Sequence, residues 1–275
     1  ITGQEELEEE PLKERIKGAK MLIVEDNDSL REMLAGLFSP YYEVLTAADG
    51  EEGLQKGREE QPDIILSDVV MPRMTGTELC KEIKSDMDLS HIPVIFLTAK
   101  NDIDSKINGL KIGAEAYVEK PFSFNYLKTQ IVSLLYNRQK EREAFSKRPF
   151  FPTNKMQMNK VDEEFMNKVI RTIEENIIDT NLNVEHLAEI LGMSRSSLLR
   201  KIKMLSNLSP VDFIRLIRLR KAAELIHEGK YLIGDICFMV GINSPSYFSK
   251  LFLKQFGMTP KDFEKQSQAD KEKID

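Results

Sequence analysis

In the first half of the chain, short apolar runs alternate with amphipathic stretches. Among the runs are Met21-Leu22-Ile23-Val24, Pro62-Asp63-Ile64-Ile65-Leu66-Ser67, Ile92-Pro93-Val94-Ile95-Phe96-Leu97 and Ala116-Tyr117-Val118-Glu119. Helical patterning fills Ser29 to Phe38, Gly50 to Glu60, Gly76 to Asp86, Ile103 to Ile112 and Asn125 to Asn137. Unbroken apolar runs suit strands covered on both faces, and helices of ~10 to 15 residues supply the right-handed crossovers of a parallel sheet. The pattern predicts five strands and five helices, with the sheet in the order 2-1-3-4-5.

The second half has no strand pattern. Residues 138–160 are charged, carry Pro149 and Pro152, and read as a linker that follows an extension of the preceding helix. Phe165, Val169, Ile173 and Ile177 then recur every four residues, as one apolar helix face does. Beyond them the chain repeats itself. Leu187-Ala188-Glu189-Ile190-Leu191-Gly192 parallels Ile236-Cys237-Phe238-Met239-Val240-Gly241, and Ser194 to Arg200 parallels Ser244 to Lys250. The offset is 49 at the glycines and 50 from the serines onward, so the second copy has one more turn residue. Asn207-Leu208-Ser209-Pro210-Val211-Asp212-Phe213 then matches Gly257-Met258-Thr259-Pro260-Lys261-Asp262-Phe263 in register. Glycine stops, serine caps and Pro245 at a first helical position predict tandem helix-turn-helix units bridged by a helix from Val211 to His227.

The 275 residues exceed the usual single domain, and a chain 41% hydrophobic and 31% charged can bury two ordinary cores. The reading is a lead-in over 1–18, an α/β domain over 19–137, the linker, an all-α domain over 161–268 and a tail over 269–275. The net charge of −6 hides an asymmetry: residues 1–137 carry 15 Lys and Arg against 26 Asp and Glu, a balance of −11, and the remainder carries 24 against 19, a balance of +5. The basic half is therefore the one expected to meet nucleic acid. Cys80 and Cys237 lack metal-ligand spacing and read as core thiols in a reducing, cytoplasmic setting. No apolar run nears the ~18 residues of a membrane span, and the Glu-rich start is unlike a secretory signal. Because residue 1 is Ile, the chain is expected to continue upstream, with Met21 as an alternative natural start.

Chemistry gathers where the strands end. If the first and third runs are adjacent parallel strands, Glu25, Asp26 and Asp68 meet in the crevice at their carboxyl ends, and later runs deliver Thr98 and Lys120-Pro121 to the same edge. Carboxylate oxygens suit a hard divalent cation, and phosphoryl transfer needs charge neutralised around the reacting oxygens. An acidic pair, a lone Asp, a Thr and a Lys-Pro in this order resemble the receiver domain of two-component response regulators, over roughly Ala19 to Asn137. The resemblance implies the flavodoxin-like form of the α/β fold, with Asp68 as phosphoacceptor. It also implies Mg²⁺ held by Asp26, Asp68 and the Val70 backbone carbonyl, with Glu25 reaching the ion through water. Lys120, Thr98 and Tyr117 are then the switch residues, Tyr117 turning inward on phosphorylation, and Lys120-Pro121 is the family's cis turn. By the same resemblance, Val70 and Lys100 occupy positions whose side chains in the family influence a water attacking the phosphoryl group; valine cannot orient that water. A Mg²⁺-dependent phosphatase of the haloacid dehalogenase type is disfavoured, since its second acid would stand at Val70.

The repeat, over roughly Asp179 to Lys265, resembles the DNA-binding domain of AraC-type transcription regulators. With Leu198 and Ile202 buried, Ser196, Arg200 and Lys203 face outward beside Ser197; with Phe248 and Phe252 buried, Ser246 and Lys250 do so, flanked by Tyr247, Ser249 and Lys254. Arg200 is the prime base reader, because arginine can address guanine through two bonds. Arg215, Arg218, Arg220 and Lys221 are further candidates for phosphate contact. A receiver followed by such a domain resembles the output end of Bacteroidetes hybrid two-component systems. That implies double-stranded DNA as ligand, a histidine kinase domain as phosphoryl donor, and homodimerisation on phosphorylation through Ile103 to Ile112, the Tyr117 strand and the last receiver helix. It further implies control of polysaccharide-utilisation genes, no membrane contact by this stretch and no enzymatic activity of its own. A receiver serving as a constitutive dimerisation module is the alternative.

Overall fold

The computed structural model describes residues 18–99, 112–150, 156 and 158–271. They form two compact units, divided between Asn137 and Arg138.

The first unit holds the strands β1 (Lys20–Val24), β2 (Glu43–Ala47), β3 (Ile64–Asp68), β4 (Val94–Ala99) and β5 (Ala116–Lys120). All pair in parallel, in the order β2-β1-β3-β4-β5, which is the order and fold class that the sequence predicts. Alternate side chains serve opposite faces. Leu22, Val24, Ile65, Val94 and Phe96 pack with Leu79 and Ile83 of α3 (Gly76–Ser85), and α2 (Gly50–Glu60) sets its small Gly53 against Val24. Met21, Ile23, Leu66, Ile95 and Leu97 pack with Leu34 and Phe38 of α1 (Asp28–Phe38) and with Leu127 and Ile131 of α4 (Phe124–Lys147). Both faces are covered, which explains why the strands read as unbroken apolar runs. The helix expected over Ile103 to Ile112 lies outside the described residues apart from Ile112, as does Lys100.

The second unit is helical: α5 (Lys160–Glu175), α6 (Val184–Leu191), α7 (Arg195–Ser206), α8 (Pro210–Glu228), α9 (Ile233–Met239), α10 (Pro245–Phe256) and α11 (Pro260–Lys271). The repeat recurs in the backbone. Ser194 and Ser244 cap α7 and α10 through the amides of Ser197 and Tyr247. Gly192 and Gly241 occupy the left-handed region with φ of 68° and 70°, where a side chain is unfavourable. Helix α8 gives Phe213, Ile214 and Ile217 to one core and Leu219, Ala222, Ala223 and Ile226 to the other, so it is the spine of both helix-turn-helix units.

Two readings of this half change. Helix α4 runs to Lys147, through much of the segment read as a linker. Its Phe145 is fully buried and stacks on Phe213 with centroids 6.0 Å apart. A single apolar residue among charges carries no period, so the sequence pattern misses it. Helix α5 ends at Glu175, two residues before Ile177, which still packs against the second core.

Candidate functional site

Register builds the first site. Val24 lies beside Ser67 and Asp68 beside Leu97, so Glu25 and Asp26 leave β1 next to the end of β3. Carboxylate oxygens of Glu25, Asp26 and Asp68 come within 4.8 Å of one another. Such like charges need a cation nearby. Lys120, at the end of β5, donates to Asp68 Oδ2 at 2.7 Å and to Glu25 Oε2 at 2.8 Å. Asp68 Oδ1 accepts from the Val69 amide at 2.6 Å. Burial pushes the Glu25 carboxyl above its ordinary range, against the pull of Lys120. Burial alone would lower Lys120, but its bonds to Asp68 and Glu25 outweigh it and hold the ammonium above its usual value.

Asp26 is exposed, Asp68 half-buried, and Val70 stands out on the loop after β3 with 71% of its surface accessible. Thr98 is buried, and its hydroxyl reaches the Ala99 carbonyl at 3.4 Å. The Tyr117 ring lies against Phe96, centroids 5.4 Å apart, and its hydroxyl is buried with no hydrogen-bond partner among the described residues. That burial raises its pKa. The Lys120-Pro121 peptide is cis.

The loop between β3 and α3 is fixed by residues that the sequence reading passed over. Asp49 is fully buried, caps α2 through the amides of Glu51 and Glu52 at 2.9 and 3.0 Å, and pairs with Arg73. Gly50 donates to the Met74 carbonyl at 3.2 Å. Gly76 packs so closely that an added Cβ would sit 2.0 Å from the Asp68 carbonyl oxygen. The Asp-Gly pair before a helical stretch was the available cue to Asp49 as a cap.

The second surface is built by the paired helices. Leu198, Ile202, Phe248 and Phe252 are buried, whereas Ser196, Arg200, Lys203, Ser246, Tyr247, Lys250 and Lys254 are exposed and Ser197 and Ser249 half-exposed. Two of the bridging-helix candidates are placed otherwise. Arg218 donates to the carbonyls of Asp179 and Gly241, and Arg220 stacks on Phe145 and donates to the carbonyls of Phe145 and Arg148. Both tie backbone segments together, and periodicity cannot tell such arginines from solvated ones. Arg215 pairs with Asp212 at 2.7 Å and Lys221 with Glu224 at 2.9 Å.

Residues 21–132 match the response regulator receiver domain, and residues 187–266 match a helix-turn-helix domain. The chain belongs to the response regulators that join a receiver to an AraC-type helix-turn-helix domain. Over 244 residues, 89% of this chain, it is 37% identical to histidine kinase P4 of Formosa agariphila, of which the match spans 18%. Over 117 residues, 42% of this chain and 48% of the relative, it is 38% identical to the alkaline phosphatase synthesis transcriptional regulatory protein PhoP of Bacillus subtilis. The chain thus spans less than a fifth of the first relative and about half of the second. The solved chemotaxis response regulator CheY4 of Vibrio cholerae is 39% identical, with 42% of this chain and 99% of that one aligned and a TM-score of 0.40. Receivers generally bind Mg²⁺ at an acidic pocket, and the oxygen donors gathered at Glu25, Asp26 and Asp68 fit that ion. Among the described residues, no helix is long and apolar enough to cross a membrane.

Proposed function

We propose that this chain is a phosphorylation-gated, sequence-specific transcription regulator. The observation that carries the reading is one chain holding both Asp68, set between Lys120 and two further carboxylates, and two matched helix-turn-helix units with polar outer faces. The Asp68 carboxylate attacks the phosphorus of a phosphohistidine on a histidine kinase domain. A P–O bond forms, and the P–N bond breaks with its electron pair returning to the imidazole. Asp26, Asp68 and the Val70 carbonyl would hold Mg²⁺, with Glu25 reaching it through water, and the ion would supply positive charge against the incoming phosphoryl oxygens. Lys120 offsets the same charge from the β5 side, and the Thr98 hydroxyl turns from the Ala99 carbonyl toward a phosphoryl oxygen. With Tyr117 this forms the two-state element that a local charge change biases.

In the other unit, Arg200 reads a base edge, with Ser196, Ser197 and Lys203 beside it on α7. Ser246, Tyr247, Ser249, Lys250 and Lys254 serve α10 in a second major groove. Helix α8, 19 residues and so about 28 Å long, together with its turns suits the ~34 Å groove repeat. The likeness to a long histidine kinase supports a donor in the same full-length polypeptide. Phosphorylation then promotes a homodimer on cytoplasmic DNA, and polysaccharide-utilisation genes are the targets. The first test is incubation with acetyl phosphate and Mg²⁺ followed by intact-protein mass spectrometry. A gain of one phosphate that disappears in Asp68→Ala is expected; a gain retained in that variant would displace Asp68 as acceptor.

A further inference from the structure

The two helix-turn-helix units are built alike but fastened differently. Helices α5, α8 and α11 each begin with a polar cap three residues before an aspartate: Asn159 and Asp162, Ser209 and Asp212, Thr259 and Asp262. The reading helices share the offset of 50, so Lys201 of α7 corresponds to Leu251 of α10. Asp162 of α5 and Asp212 of α8 hold the same place by cap spacing, each three residues after the cap of the long helix that precedes its unit's helix pair. In the first unit this pair of positions is closed. Lys201 is 1% exposed, its ammonium bonds Asp162 at 2.5 Å, and it also lies 5.9 Å from the Phe165 ring centre. Asp162 is itself buried and bonded by the Asn159 side chain at 2.9 Å.

In the second unit the same place is open. Asp212 is exposed and, among the described residues, bonds only its cap Ser209 and Arg215. Leu251 is half-buried, and a cleft of about 440 Å³ separates Val211, Ile214 and Arg215 of α8 from Tyr247 and Leu251 of α10, with Leu182 and Asn183 ahead of α6 also on its wall. The repeat is thus its own control: a helix-turn-helix unit of this chain folds with leucine in place of the buried lysine. A buried ion pair is a poor source of stability, since well-packed apolar replacements often equal it, but it is directional and can fix one arrangement. Lys201 follows Arg200, so the direction it fixes is that of the proposed base reader.

We infer that the Asp162–Lys201 pair is a positioning device that locks the rotation of α7 and makes the first helix-turn-helix unit the strict sequence reader, while α10, beside its open cleft, adapts to varied sequence. The inference rests on the DNA-reading function proposed above. It says which unit carries the discrimination and which residues, touching no base, set it.

The test is selection of bound sequences from a random DNA library by the full chain and by the double variant Asp162→Leu with Lys201→Met, with Arg200→Ala marking the positions that α7 reads. The double variant is expected to fold with a melting temperature near that of the parent. Its preference at the α7 positions should fall by roughly tenfold, the scale of one mismatched base pair, with the α10 positions unchanged. A folded double variant with the parent's preference at every position would overturn the inference, and so would one that fails to fold, because the pair would then be a requirement of the fold. Hydrogen exchange on the unaltered chain is an independent arm: the amides of α7 should exchange more slowly than those of α10. Equal or reversed protection would overturn it too. If the parent selects no sequence, the DNA-reading function fails on its own, and the exchange arm still judges the lock.

Discussion

A side chain acts through the few groups around it, and three positions here can be tested singly. Arg200 is exposed on α7 one residue from the locked Lys201, so Arg200→Ala should lose ~1–3 kcal/mol of specific binding and relax the choice at one base pair. An unchanged preference in a binding-site selection would remove it as a reader. Val70 offers an apolar, exposed side chain where an attacking water would need orienting, so the phosphoryl group on Asp68 should persist, and Val70→Asn should shorten its half-life in a time course of phosphate loss. Rapid loss, the same in both proteins, would contradict this. Cys80 is fully buried, and burial pushes its thiol up to about 12 from 9.0. The folded chain therefore holds that proton more tightly than the unfolded one. Its contribution to stability is intact below pH 9 and is lost as pH rises from there toward 12. Iodoacetamide at neutral pH should leave Cys80 unmodified until the protein is denatured.

Elements show how much the sequence disclosed. Strand ends were legible because each apolar run stops at a chemically different residue, which places Glu25, Asp68 and Lys120 on one edge once the sheet order is set. The recognition helices were legible because their buried positions repeat at an offset of 50 with the caps in step. What stayed hidden is polar and long-range. Arg218 and Arg220 read as phosphate-contact candidates and Lys201 drew no reading at all, yet their partners lie dozens of residues away in α5, in the turns around Asp179 and Gly241, and at the end of α4. The extension of helix α4 beyond Asn137 was expected but its length was not legible, because its charged turns have only Phe145 as an anchor. That anchor is testable. Phe145→Ala removes a ring stacked on Phe213 and covered by Arg220, and should cost about 3–5 kcal/mol in the helical unit on denaturant unfolding. In the first unit, Gly76→Ala forces a methyl onto the Asp68 carbonyl and should destabilise by at least ~1–3 kcal/mol while lowering phosphoryl uptake. An unfolding midpoint equal to the parent's would refute either packing argument.

For the whole molecule, an acidic receiver and a basic reader divide the labour that the charge asymmetry foreshadows, −11 over residues 1–137 and +5 over the rest. The receiver collects three carboxylates and one ammonium into a site suited to an added phosphoryl group. The reader offers two helices whose exposed faces carry serines, arginine and lysines. The central claim is that the first controls the second. Its most direct measurement is selection of bound genomic DNA fragments by this chain with and without Mg²⁺ and beryllofluoride, a phosphoryl mimic, with Asp68→Ala as the control. The account predicts specific fragments that appear or strengthen only with the mimic and an intact Asp68. Equal enrichment of the same fragments under every condition would contradict it, leaving a DNA reader whose receiver does not gate it.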